Sequence, residues 1–214
     1  MTPKIVFIEG NIGTGKTTFL KNLKNDTYKI QVLYEPVDEW IQSGMLGKFY
    51  EDPDSYNLMF QSYCLFTRLK QFEKIDRSVD YVFIERSIYC DSNVFAKVCL
   101  TQPEKYEKYT CLYNQYLELI KEMYDIPFYF LYLYKTPDNC LKQIQTRARA
   151  EEDGITIDYL NQLHHYHEEW LQDNRVFETI GTYCKRNGNV IVCEGDYDVR
   201  KRECVHTIFS EITN

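Results

Sequence analysis

Residues 10–17 read Gly10-Asn11-Ile12-Gly13-Thr14-Gly15-Lys16-Thr17 and fit the pattern GxxxxGK[ST] in full. This is the spacing of a phosphate-cradling loop. Its glycines let backbone N–H groups turn inward around phosphate oxygens, Lys16 is placed to reach the β- and γ-phosphates, and the Thr17 hydroxyl is a ligand for Mg²⁺. Thr18 completes the run expected to touch ATP. A helix that starts here adds the positive end of its dipole. The chemistry implied is phosphoryl transfer from ATP.

Two carboxylates stand where such chemistry needs them. Glu35 closes one short apolar run and Glu85 closes another. In open α/β sheets, ligands bind beyond the carboxyl ends of the strands. Both acids are therefore expected to face the crevice that holds the phosphate loop. One can orient or remove a hydroxyl proton, and the other can help to hold Mg²⁺. Arg86, next to Glu85, can stabilise charge on the group in transfer. Taken alone, each glutamate also fits a surface residue at a strand end.

The elements that must position these groups follow from periodicity. Residues 4–9 form a short apolar run that reads as a buried parallel strand, then the Gly-rich loop breaks it, and 16–24 show helical spacing. Further strands are expected at 30–34, 81–85, 128–134 and 189–194. Helices are expected at 38–50, 53–75, 88–99, 103–124, 137–150, 157–173 and 198–212. Strands alternating with helices imply parallel pairing through right-handed crossovers. The fold expected is a single α/β domain over 1–214, a P-loop kinase with a five-stranded parallel sheet flanked by helices.

Composition narrows the partners. A chain of 214 residues with 44% hydrophobic residues suits one sizeable core. The net charge of -7 argues against a partner bound through nucleic-acid phosphates, although it permits one nucleotide. Eight cysteines without a CxxC pair read as reduced, buried thiols in a reducing compartment, and the expected location is cytoplasmic. No run approaches the ~20 apolar residues needed to span a bilayer, so no membrane partner is expected. A cleavable leader is not expected either, since its removal would take the first strand. His164, His165 and His167 spread around a helix instead of stacking at i, i+4, which makes zinc binding there the weaker reading.

With these residues on the page, the chain resembles the deoxynucleoside kinase family along nearly its whole length. The resemblance rests on residues 10–17, Glu35-Pro36-Val37 with Trp40, Phe60-Gln61-Ser62-Tyr63, Glu85-Arg86-Ser87, the run from Arg147 to Glu152, and Tyr159-Leu160 leading to Trp170-Leu171. It implies that Glu35 is the general base on a nucleoside 5′-hydroxyl. Arg86 would sit beside that hydroxyl, and Glu85 would be the magnesium-associated acid. Arg147 and Arg149 would clamp the ATP phosphates from an Arg-rich lid at about 143–154. Tyr50 and Glu152 would bind the sugar 3′-hydroxyl, and Trp40 and Phe95 would wall the base pocket.

Gln61 would read the base, because a carboxamide both donates and accepts. Arg68 and Asp91 match positions that are Arg and Asp in deoxycytidine and deoxyguanosine kinases, and uncharged in mitochondrial thymidine and broad insect enzymes. Such a pair makes a thymine methyl group costly to accommodate, which favours deoxycytidine or a purine deoxynucleoside. A plain structural ion pair is the alternative. The resemblance also implies a homodimer and ATP with Mg²⁺. Asp196 and Tyr197, just after the last strand, are expected near the adenine by position. One departure stands out. Many members carry a third arginine where this chain has Gln143, and neighbouring Lys142 points about 100° away on an ideal helix. Other readings remain: a nucleoside-monophosphate kinase, an enzyme of broad specificity that includes thymidine, and a nucleotide-binding subunit without turnover.

Overall fold

The computed structural model describes residues 2–24, 26–123, 128–149, 152–195 and 197–213. Its strands are β1 (Lys4–Glu9), β2 (Ile30–Leu33), β3 (Tyr81–Glu85), β4 (Phe128–Leu133), β5 (Glu178–Thr179), β6 (Cys184–Asn187) and β7 (Val190–Cys193). They form one sheet in the order β2-β3-β1-β4-β7-β6-β5. The first five strands of that order are mutually parallel, as alternation with helices requires. β6 extends the sheet antiparallel to β7, and β5 in turn pairs antiparallel with β6.

This hairpin edge is an addition to the five strands expected. β6 reads Cys-Lys-Arg-Asn, too polar to stand out as a buried run. Asn187-Gly188, with Gly188 at φ 57°, is the hairpin signal that marks it.

The parallel strands are apolar on both faces because helices cover both. Val6, Ile8, Phe83, Leu131, Leu133 and Ile191 pack on one side, against α1 (Lys16–Asn22) and α10 (Arg202–Thr213). Ile5, Phe7, Val82, Ile84, Phe130 and Val192 pack on the other. There they meet α4 (Pro53–Phe72), α7 (Pro103–Met123) and α9 (Ile157–Leu171). The alternation within each strand is the period of two expected of extended chain.

Two helices deviate from the simple reading. Residues 38–50 are two helices, α2 (Val37–Gln42) and α3 (Met45–Glu51), broken at Gly44, whose φ is 70°. Residues 88–99 run as α5 (Ile88–Cys90), a π-helical segment (Asp91–Phe95) and α6 (Ala96–Cys99). α4 starts cleanly, since Asp52 accepts a hydrogen bond from the Ser55 N–H at 3.2 Å and Pro53 occupies the first turn. α8 (Pro137–Arg147) ends at Ala148 in the left-handed conformation. No helix among the described residues is long and apolar enough to cross a membrane.

Candidate active site

The phosphate loop joins β1 to α1 as expected. Gly13 has φ 82°, and a Cβ there would lie 2.5 Å from the Cys140 carbonyl oxygen. The loop can therefore pass close to α8 only without a side chain. Lys16 is buried, and its ammonium donates to the carbonyls of Gly10 at 3.0 Å and Asn11 at 2.8 Å. Burial and neighbouring Arg86 lower its pKa to about 8, against the pull of Glu35 and Glu85. Asn11 turns away from the cavity, donating to the Leu160 carbonyl at 2.8 Å and so tying the loop to α9. Thr14 is buried and donates to the Asn11 carbonyl at 3.1 Å.

Thr17 donates to the Glu85 carboxylate at 2.6 Å, so a loop hydroxyl and a strand-end acid share one spot. Two hard oxygen donors beside a phosphate loop suit Mg²⁺. Arg86 follows with φ 67°, an uncommon conformation for a residue with a side chain. Its N–H is held by the Ile8 carbonyl at 3.0 Å, its guanidinium lies 4.7 Å from the centre of the Phe95 ring, and its Nε donates to Glu35 at 3.1 Å. Backbone strain of this kind persists where its surroundings over-determine it, and it clusters at functional sites.

Glu35 is the hub of the buried charges. It accepts from Arg68 at 2.6 Å as well as from Arg86. Burial pushes its carboxyl up, but Arg86, Arg68 and Lys16 together override that and hold it down at about 2. Arg68 also donates to Asp91 at 2.7 Å and lies 5.3 Å over the Trp40 ring. Burial raises Asp91 to about 6 even with Arg68 beside it.

These groups line a cavity of about 800 Å³ that runs from the phosphate loop to an aromatic pocket. Phe49 stacks on Phe60 with centroids 4.8 Å apart, and Trp40 meets Phe60 edge-on at 5.7 Å. Gln61, Cys64 and Arg68 share the buried face of α4, and the π-helical segment adds Asp91, beside Arg68, and Phe95 to the cavity lining. Glu152 pairs with both Arg147 and Arg149, the latter at 2.9 Å. Burial, and then the Glu152 charge, raise the Tyr50 phenol well above its ordinary value, and both residues line the cavity.

Not every expected residue gathers here. Tyr197 belongs to the core, where its hydroxyl donates to the Tyr134 carbonyl at 2.8 Å, and it does not line the cavity. Val199 and Arg200 reach the cavity from that segment instead. Asp196 lies outside the described residues. His165 is exposed and lies 3.8 Å from Glu169, whereas His167 is buried with Glu9 and Cys90. All eight cysteines are free thiols.

Lys135 and Arg200 of the cavity lining, and Glu9 next to the phosphate loop, were not singled out from sequence. Glu9 is fully buried, with one oxygen accepting the Ser87 N–H at 2.9 Å and the other unpaired among the described residues. Burial raises its carboxyl. The signal was available, because β1 is an apolar strand that ends in an acid, as β3 is. Lys135 and Arg200 gave no such signal.

A P-loop over a parallel sheet, a hydroxyl–carboxylate pair beside it and a largely buried carboxylate between two guanidinium groups define a P-loop phosphotransferase. The deoxynucleoside kinase family model matches residues 6–214. A probable deoxycytidine kinase of fowlpox virus (strain NVSL) is 35% identical, over 83% of this chain and 75% of that protein. The mitochondrial deoxyguanosine kinase of Xenopus laevis is 31% identical, over 80% and 74%. The mitochondrial thymidine kinase 2 of Macaca fascicularis is 29% identical, over 92% and 72%. The chain belongs to the deoxynucleoside kinase family, and it is a kinase.

Proposed function

We propose that this kinase transfers the γ-phosphate of ATP to the 5′-hydroxyl of a deoxyribonucleoside, with deoxycytidine or a purine deoxynucleoside preferred, in the salvage of DNA precursors. The observation that carries the reading is Glu35, a largely buried carboxylate held between Arg68 at 2.6 Å and Arg86 at 3.1 Å and lining the cavity that joins the phosphate loop to the aromatic pocket. A neutral hydroxyl acceptor needs such a group to orient and receive its proton, whereas a phosphate acceptor does not.

The other roles follow from chemistry and position. Lys16 and Arg86 stabilise charge on the transferring phosphoryl group. Arg147 and Arg149 would clamp the ATP phosphates from a lid, and Glu152 with Tyr50 would hold the sugar 3′-hydroxyl. Thr17 and Glu85 would hold Mg²⁺, which neutralises phosphate charge when bound. The Gln61 carboxamide has no hydrogen-bond partner among the described residues, so donor and acceptor remain for a base edge. Trp40 and Phe95 flank that base. Arg68 and Asp91 form a buried charged wall that is costly to press against a thymine methyl group. Eight free cysteines support a reducing compartment such as the cytoplasm. A homodimer built on helices flanking the site completes the proposal.

A substrate panel tests it. Deoxycytidine, deoxyadenosine, deoxyguanosine, thymidine and their monophosphates are each supplied with ATP and Mg²⁺, and ADP release is followed. Turnover should appear with nucleosides and be slowest with thymidine, and Glu35→Gln should lower kcat by about 10²-fold or more. Turnover with monophosphates alone would replace this reading with a monophosphate kinase, and near-wild-type turnover by the variant would remove Glu35 as base.

A further inference from the structure

Lys135 emerges just past the carboxyl end of β4, which lies directly beside β1 in the sheet, and so reaches the rim of the phosphate loop. Gln143 stands on α8 where that helix presses against Gly13. With its amide turned to satisfy both neighbours, the Gln143 nitrogen donates to the Gly13 carbonyl at 2.7 Å. Its oxygen then accepts from the Lys135 ammonium at 2.8 Å. Only a side chain that both donates and accepts can bridge a carbonyl to an ammonium in this way.

The charges at this end of the cavity are unevenly matched. Arg147 and Arg149 are both paired with Glu152, and Arg200 is paired with Asp198 at 2.8 Å. Among the described residues, Lys135 has no carboxylate within ion-pair distance, and its anchor is a neutral amide. It is half-buried, and burial lowers its pKa, with Cys140 and Asp198 opposing that shift and Arg200 adding to it. A cation held out of water without a counter-charge is unfavourable until an anion joins it.

We propose that Lys135, held against the loop by Gln143, binds the polyphosphate of the donor nucleotide. It supplies the positive charge that Gln143 itself lacks. The inference rests on the reading that ATP lies with its phosphates in the Gly10–Thr17 loop.

The test is calorimetric titration of ATP, ADP and AMP into wild type, Lys135→Met and Gln143→Ala, with no nucleoside present and with Tm measured in parallel. Lys135→Met should weaken ATP about tenfold and AMP less than twofold, roughly what one charge-assisted contact to phosphate contributes. Gln143→Ala should weaken ATP by a smaller factor, about threefold, because the ammonium survives but is no longer held. In turnover, KM for ATP should rise while KM for the nucleoside stays put. ATP affinity within twofold of wild type in Lys135→Met overturns the proposal. An equal loss for ATP and AMP also overturns it, since that outcome is a structural role. Should the Met variant not fold, Lys135→Gln is read in the same way. Wild type that binds ATP but phosphorylates no nucleoside would remove the proposed function and leave the Lys135 measurement intact.

Discussion

Lys16 carries its charge at a cost, because its ammonium is buried on two loop carbonyls and Arg86 is close by. Its pKa of about 8 has a measurable consequence for nucleotide binding. A polyphosphate placed beside it favours the ammonium form, so the group's pKa rises when ATP binds. Below about pH 7, Lys16 is already protonated and takes up no proton. Above pH 8 the free protein has lost that proton, so binding must take one up, and affinity falls by up to about tenfold per pH unit. Titrating ATP at pH 7 and pH 9, each in two buffers of different ionisation enthalpy, counts the protons. Uptake approaching about one at pH 9, and little at pH 7, is expected. No uptake at pH 9 would mean that Lys16 is not the group facing the phosphates. Glu35 contributes nothing to this profile, since it is ionised from about pH 2 upward.

At the scale of elements, two glycines should respond to alanine with opposite signs. Gly13 sits in the loop with φ 82° and with the Cys140 carbonyl where a Cβ would go. Gly13→Ala combines backbone strain with a clash against a helix. It should cost about 2–4 kcal/mol, lower Tm by about 5 °C or more, and raise KM for ATP. Gly47 lies inside α3 with open space around its Cβ position, so Gly47→Ala should stabilise by about 0.5–1 kcal/mol. Thermal melts of the two variants check both signs, and a Gly13→Ala protein that melts like wild type would mean the loop does not need this close approach.

The same contrast explains what could be read from sequence. The phosphate loop, and the strands that end at Glu9 and Glu85, are local patterns, so residues 4–17 and 81–85 announced their structure. The break at Gly44 and the polar strand β6 were not announced, because burial pattern is weak in both. The contact between Arg68 and Glu35 joins residues 33 apart and depends on where α4 lies against the end of β2. Sequence paired Arg68 with Asp91 alone. The Lys135–Gln143 bridge was likewise hidden, since it depends on how closely α8 approaches the loop.

On the scale of the whole molecule, α4 connects the cavity to an outer surface. Its inward face carries Gln61, Cys64 and Arg68, all buried. Its outward face carries Met59, 52% exposed, and Phe66, 45% exposed. The adjacent α7 carries Leu112 and Leu119, 37% and 43% exposed. Each pair is seven residues apart, two helical turns, and so lies along one face of its helix. Two apolar stripes on neighbouring helices suit the partner proposed above, a second copy of the chain. Covering the exposed half of such side chains is worth about 1 kcal/mol each, set against the entropy lost on association. Phe66→Asp combined with Leu119→Asp should therefore turn a species of twice the chain mass into a monomer at micromolar concentration, as read by sedimentation. Freed of its partner, α4 should hold Gln61 and Arg68 less firmly, so KM for the nucleoside should rise several-fold while ATP affinity, set by the loop at the far end of the cavity, changes little. A wild-type monomer, or a double variant that sediments and turns over like wild type, would sever the proposed link between this surface and the base pocket.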